Sequence, residues 1–170
     1  MTTTASAIAL YTDGGVIGAN PSRIGGTWAY CLVNTAGERI VEASGVITPI
    51  QANVVAVTNN VTELLALVYG LERLPMGWTG TVYSDSWVSL QRVFLAAKLR
   101  NVPTWLVQRL QALQKCGKLA EMKYELLDGH PTKAELLAGI GKRGHKVSTH
   151  NVWADSACQK AARAARLEAA

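Results

Sequence analysis

The chain has 170 residues, 49% of them apolar and 17% charged, a size and composition that suit one folded domain, crowd two and exclude a disordered chain. Its 17 Lys and Arg against 12 Asp and Glu give a net charge of +5, compatible with a polyanionic partner. Cys31, Cys116 and Cys158 are odd in number and show no C-x-x-C spacing, which excludes a disulfide framework and a structural zinc site and fits a reducing compartment.

No stretch supplies the ~20 apolar residues of a membrane span. The start MTTTASAIAL lacks the basic opening of a signal peptide. No internal repeat, low-complexity tract or long single-sign charge run interrupts the chain. The expectation is a cytoplasmic monomer with no membrane partner, one domain over 1–170 with its core at 7–165.

The apolar run Ala7 to Thr12 predicts a buried strand ending at Asp13, where Asp13-Gly14-Gly15 reads as a turn. Residues 18–26, rich in Gly with Asn20-Pro21-Ser22, predict a loop. Thr27 to Val33 predicts a second strand, Asn34 to Gly37 a hairpin turn, and Glu38 to about Ile47 a third, antiparallel strand. The period then changes: Leu64, Leu67, Val68 and Leu71 fall at helical spacing over 62–74. Asn59 or Asn60 is the expected cap, Glu63 stands in the first turn, and Pro75 and Gly77 mark the end. Gly80 to Asp85 predicts a fourth strand, 88–99 and 104–115 two helices, and 122–127 a fifth strand closed by Asp128-Gly129-His130-Pro131. A Gly- and Lys-rich loop over 132–149 precedes an Ala-rich helix from Asn151 to Leu167, with Asn151 or Ser148 near its start. The order βββαβααβα predicts an α/β fold with a mixed sheet and helices on its faces.

Asp13 and Asp85 each close an apolar strand. On parallel neighbours both carboxylates would enter the crevice at the strand C-termini, where open α/β sheets bind ligands. Glu63 and Asp155, near the starts of two helices, are placed to reach the same crevice. Four acids at one point repel each other and need cations or protons to persist. Oxygen ligands without Cys or His select magnesium or manganese, and two such ions about 4 Å apart clamp the attacking and leaving oxygens of a phosphoryl displacement. Taken singly, each acid also reads as a turn residue, a helix-dipole partner or a solvated surface charge. Their joint occurrence favours the metal site.

The runs Tyr11-Thr12-Asp13-Gly14-Gly15, Thr58-Asn59-Asn60-Val61-Thr62-Glu63, Tyr83-Ser84-Asp85-Ser86 and Asn151-Val152-Trp153-Ala154-Asp155 resemble type 1 ribonuclease H over roughly residues 7–165. The resemblance implies a ribonuclease H-like fold: a five-stranded mixed sheet, three antiparallel strands then two parallel, flanked by helices. It implies an enzyme that hydrolyses the RNA strand of an RNA–DNA hybrid with two Mg2+ ions, Mn2+ being a possible substitute, leaving 5′-phosphate and 3′-hydroxyl ends. Asp13, Glu63, Asp85 and Asp155 would then ligate metal, with Asp13 bridging both ions and Glu63 also touching a 2′-hydroxyl. Thr58 and Asn59 match positions that grip a DNA phosphate. Asn20 and Asn60 match positions that read 2′-hydroxyls or base edges, for which amides are apt partners. Ser86 and Asn151 fall in the same motifs and join the expected substrate-binding set.

His130 matches a family histidine that assists proton transfer or product release; His150 and then His145 are its rivals, and a solvent-exposed loop histidine is the plain alternative. Ser86-Trp87 departs from the family pattern by replacing a polar residue with Trp87, which stands beside Asp85 as a candidate DNA contact. Trp28, Trp78, Trp105 and Trp153 read as packing residues. The segment 88–105 is short for the family, with Lys98 and Arg100 as a remnant of a basic insert or a solvated helix end. The 132–149 segment is long, and its Lys133, Lys142, Arg143 and Lys146 suggest a mobile basic flap or a plain surface loop. A non-catalytic hybrid-binding module on the same fold, or another nuclease of the superfamily, are the competing functions. The retained acids count against the first. The absence of D-x-E in the first strand counts against a proofreading exonuclease, and no G-x-G-x-x-G opens a helix for a dinucleotide.

Overall fold

The computed structural model describes residues 3–168. After a 3-10 turn at Thr3–Ser6, three strands follow one another: β1 (Ala7–Val16), β2 (Gly26–Asn34) and β3 (Arg39–Ile47). Helices α1 (Pro49–Ala52) and α2 (Asn59–Arg73) lead to β4 (Thr81–Ser84), then α3 (Trp87–Phe94), α4 (Thr104–Lys115) and β5 (Lys123–Leu126). Helices α5 (Lys133–Ala138) and α6 (Thr149–Glu168) complete the order. The five strands form one sheet in the order β3-β2-β1-β4-β5. β1, β2 and β3 pair antiparallel, whereas β4 runs parallel to both β1 and β5. This is the predicted five-stranded mixed sheet, three antiparallel strands then two parallel.

Strand alternation sorts the core onto two faces. Leu10, Tyr30, Leu32 and Val82 point to one side, where α2 packs through Leu64, Leu67 and Leu71, and α3 and α4 add Leu90, Leu106 and Leu110. Ala29 and the residues in phase with it point to the other side, where α6 packs through Ala154 and Cys158. None of the helices among the described residues is long and apolar enough to cross a membrane.

The structure corrects five expectations. β1 does not stop at Asp13: Asp13, Gly14 and Gly15 continue the ladder opposite Ala29, Trp28 and Thr27. Gly14 serves close approach, not a turn: a Cβ there would stand 2.4 Å from the Glu63 backbone nitrogen, so the missing side chain lets α2 lie directly on the strand. Helix α2 begins three residues earlier than its apolar pattern, because Thr58 is the cap and its hydroxyl accepts from the Val61 N–H. Glu63 therefore lies beyond the first turn. Helix α3 ends at Phe94 instead of Leu99, with Ala96 in the left-handed region at φ 51°, a conformation that no helix can continue through.

The 132–149 segment is the fourth correction. It contains α5, closed at its start by a capping box in which Thr132 and Glu135 exchange side-chain and backbone hydrogen bonds. The following turn is tied down: Asp128, 3% exposed, accepts from the Arg143 N–H and from its Nε, both at 2.8 Å. Burial alone would raise the Asp128 carboxyl, but these hydrogen bonds and one from the His145 N–H prevail and hold it below the usual range. Lys146 pairs with Glu125 at 3.1 Å. Two of the four cations expected on a mobile flap are thus held by acids of the β5 region. Helix α6 likewise starts at Thr149, with Ser148 accepting from the His150 N–H at 3.1 Å, so Asp155 lies in its second turn.

Gly14→Ala drives a Cβ into the α2 backbone, where neither element can yield cheaply. The expected loss is about 3 kcal/mol, or roughly 6–12 °C in melting temperature for a chain of this size. A thermal melt within 2 °C of the parent would show that strand and helix are not in the close contact described.

Candidate active site

The site forms where β1 runs past the end of β4. β1 and β4 are in register only from Ala9–Thr81 to Tyr11–Tyr83, so Asp13 and Asp85 emerge side by side just beyond the shared ladder. Helix α2 crosses β1 at Gly14 and delivers Glu63 to the same point. One carboxylate oxygen each from Asp13, Glu63 and Asp85 lies within 4.8 Å of the other two. Asp155 does not join that trio. Its Oδ2 faces the Nδ1 of His130 at 3.4 Å and accepts from the amide of Gln159 at 3.0 Å, which places it on the rim.

The trio is nearly dry. Asp13 and Glu63 are each 6% exposed. The Gly14 N–H donates to Asp13 Oδ1 at 2.9 Å, and the Asn59 amide donates to Glu63 Oε1 at 3.3 Å. Glu63 Oε2 is buried without a hydrogen-bond partner, although buried polar atoms almost always find one. Burial, followed by the charges of Asp85 and Asp155, pushes the Asp13 carboxyl up to about 8. Burial and then Asp13 and Asp85 push Glu63 well above its ordinary value. Burial also raises Asp85, against the pull of His130 and a hydrogen bond from Asn151. Acids this close and this dry cannot all ionise without countercharge. The unpartnered Glu63 oxygen and the all-oxygen donor set fit hard divalent cations.

The predicted site residues fall into three groups. Asp13, Glu63 and Asp85 converge, with Asp155 and His130 beside them. Asn20, Thr58, Asn59 and Asn60 gather around the start of α2: Asn20 Oδ1 accepts from the Asn59 N–H at 3.1 Å, and two backbone hydrogen bonds between Ser22 and Val57 tie the loop down beside this contact. Ser86 and Asn151 are engaged differently from the expectation. The Ser86 hydroxyl caps α3, accepting from the Ser89 N–H and bonding the Ser89 hydroxyl at 2.9 Å. Asn151 is 2% exposed and hydrogen-bonds the Asp85 carboxyl, so its side chain is engaged inside the protein.

Of the three histidines, only His130 neighbours an acid of the site. Its backbone is left-handed at φ 52°, and Gly129 before it packs so tightly that a Cβ would stand 2.3 Å from Asp85 Oδ2. His150 lies instead over Tyr11, ring centroids 5.0 Å apart, with Nδ1 3.4 Å from Arg39; burial and the Arg39 charge lower its pKa. His145 contributes its backbone to the Asp128 turn. Trp87 is 43% exposed and Trp78 5%, which separates the surface tryptophan from a packing one. Sequence reasoning missed Gln159, although its i+4 spacing from Asp155 on one helix is a recognisable signal. It also missed Asp128, which reads as a turn residue until its burial and its pairing with Arg143 are seen.

The family model for RNase H matches residues 5–163. No curated protein sequence matches the chain significantly. Among solved structures, the N-terminal RNase H domain of a Mycobacterium tuberculosis protein is 21% identical, with a TM-score of 0.61 over 96% of this chain and 100% of that one. An RNase H1 isolated from compost by a metagenomic approach is 21% identical, with a TM-score of 0.63 over 95% and 99%. A structure of that RNase H1 in complex with RNA/DNA hybrid is 20% identical, with a TM-score of 0.63 over 93% and 98%. These likenesses establish a shared fold over nearly the whole length of both chains.

The raised acids have a consequence for stability. Unfolded carboxyls release their protons near pH 4, whereas the folded trio keeps some until about pH 8. Between those values the native state binds more protons, so metal-free stability falls as pH rises. Asp13→Asn removes one repelling charge. It should raise the metal-free melting temperature at pH 8 by roughly 2–4 °C per kcal/mol relieved, and by less at pH 5. An equal or lower melting temperature for the variant at pH 8 would contradict this electrostatic picture.

Proposed function

The chain belongs to the RNase H family, and from that premise we propose that it hydrolyses the RNA strand of RNA–DNA hybrids with two divalent ions, leaving 5′-phosphate and 3′-hydroxyl ends. The observation that supports this most is the buried trio of Asp13, Glu63 and Asp85 with its unpartnered Glu63 oxygen: a donor set that repels itself when empty and suits cations when filled. Magnesium is the proposed ion, with manganese as a substitute. Asp13, Glu63 and Asp85 would hold it, and Asp155 would complete the set from the rim. Bound ions supply the Lewis acidity that activates water and offsets charge on the phosphate.

The remaining residues serve the same reaction in this proposal. Asn151 orients Asp85, and the Gly14 N–H orients Asp13. His130, its side chain 77% exposed beside Asp155, would hand a proton to the departing 3′-oxygen. Asn20 and Asn60 offer amides to 2′-hydroxyls, the feature that separates RNA from DNA. Thr58 and Asn59 stand at the start of α2, where backbone N–H groups and the helix dipole favour a phosphate.

A labelled RNA–DNA hybrid with magnesium should be cut in its RNA strand, and RNA–RNA and DNA–DNA duplexes should survive. Chelation should stop the reaction. Asp13→Asn and Asp85→Asn should each lower kcat by at least about 1,000-fold while the circular dichroism spectrum is kept. Retained cleavage in either variant would defeat the two-ion assignment. His130→Ala should lower kcat by about 100-fold, the usual scale of general acid catalysis, with KM little changed.

A further inference from the structure

We propose that Arg163 and Arg166 on α6 form a phosphodiester-binding extension of the active site that grips the nucleic-acid backbone as it leaves the acid cluster. The inference rests on the hybrid reading of that site. An open groove of about 300 Å³ runs between the end of β1 and α6. Gly14, Gly15 and Thr27 line its sheet side; Asp155, Gln159, Arg163 and Arg166 line its helix side. One end of the groove is therefore the active site itself, through Gly14 and Asp155, and the other end is cationic.

Helical spacing produces this arrangement. Asp155, Gln159, Arg163 and Arg166 follow i, i+4, i+8 and i+11, so they form one stripe on α6. The arginines lie about 12 and 16 Å along the helix from Asp155 at 1.5 Å per residue, a distance that a nucleic-acid strand covers in roughly three to five nucleotides. Both arginines are exposed. Among the described residues neither is in an ion pair, whereas Arg39, Arg109, Arg143 and Lys146 all are. The helix's other acid, Glu168, lines a different hollow with Ile17 and Ile24. Alanines at 161, 162, 164 and 165 flank the pair and leave its approach open. A guanidinium pair without an internal partner, at the mouth of a groove that starts at the acids, suits phosphate, which arginine binds in bidentate fashion. It would also supply the attraction for a polyanion that an acidic centre by itself lacks.

The test is equilibrium binding of a fluorescent RNA–DNA hybrid to the cleavage-deficient Asp13→Asn protein across 50–200 mM salt, with magnesium present, together with steady-state cleavage in the parent background. Arg163→Gln/Arg166→Gln should weaken binding about tenfold at low salt. The log–log salt slope should become shallower by about 1.8, or 0.9 per lost phosphate contact, and the catalytic loss should fall on KM. Arg163→Lys/Arg166→Lys keeps the charge and should recover most of the slope. Lys160→Gln, on the face of α6 turned to Glu42 and Trp153, should leave slope and KM unchanged. Overlapping slopes for the glutamine pair and its parent, in a protein that cleaves hybrid normally, would overturn the extension and leave the function standing. So would an equal shift from Lys160→Gln. If the parent neither binds nor cleaves hybrid, the functional reading fails first, and this inference with it.

Discussion

Mutual repulsion among buried carboxylates is the constraint around which this molecule is arranged. Asp13, Glu63 and Asp85 come from a strand, a helix and a second strand, and nothing in their local sequence brings them together. They meet because β1 outruns its parallel neighbour β4 and because α2 lies against β1 with no side chain between. The interaction is unfavourable in the protein alone: burial and proximity raise all three acids. The apolar core beneath, with Leu10, Leu64, Leu67 and Val82 fully buried, supplies the stability that holds the acids in place.

Backbone contact sets the precision of this placement. Gly14 lets the α2 backbone rest on β1, and Gly129 lets the segment after β5 rest on the Asp85 carboxylate. Neither glycine serves mainly as a turn. Each removes a side chain so that an element bearing a functional group can come closer: Glu63 in one case, His130 in the other. The Asp128–Arg143 pair then fixes the far side of the 127–147 excursion. His130 is held between a glycine contact and the ion pair that buried Asp128 makes with the exposed Arg143, while its ring stays in solvent beside Asp155.

Charge is organised in the same graded way. The acids occupy the dry centre, amides and a helix start stand at one side, and unpaired arginines stand along α6 at the other. A net charge of +5 is thus not spread evenly. Several cations are neutralised locally by Glu42, Glu72, Asp128 and Glu125, and those that remain free matter most for a polyanion.

The element order and the mixed sheet were legible in the sequence, because alternating and 3.6-residue patterns report which side of an element is buried. So was the meeting of Asp13, Glu63 and Asp85, which the motifs around them suggested, with Asp155 and His130 standing next to each other beside it. What the sequence could not show was distance. Asp13-Gly14-Gly15 reads as a turn because glycine is ambiguous between bending a chain and admitting a neighbour, and only the packed α2 resolves it. Asn151 reads as a substrate contact because burial is a tertiary property, and Ser86 because a hydroxyl's partner depends on where the next helix begins. Lys142, Arg143 and Lys146 read as free cations until β5 places Asp128 and Glu125 beneath two of them. Local chemistry therefore determined which residues are capable of acting; the close approach of backbones distant in the chain decided which of them meet, since that approach depends on shape and exclusion that no short stretch of sequence encodes.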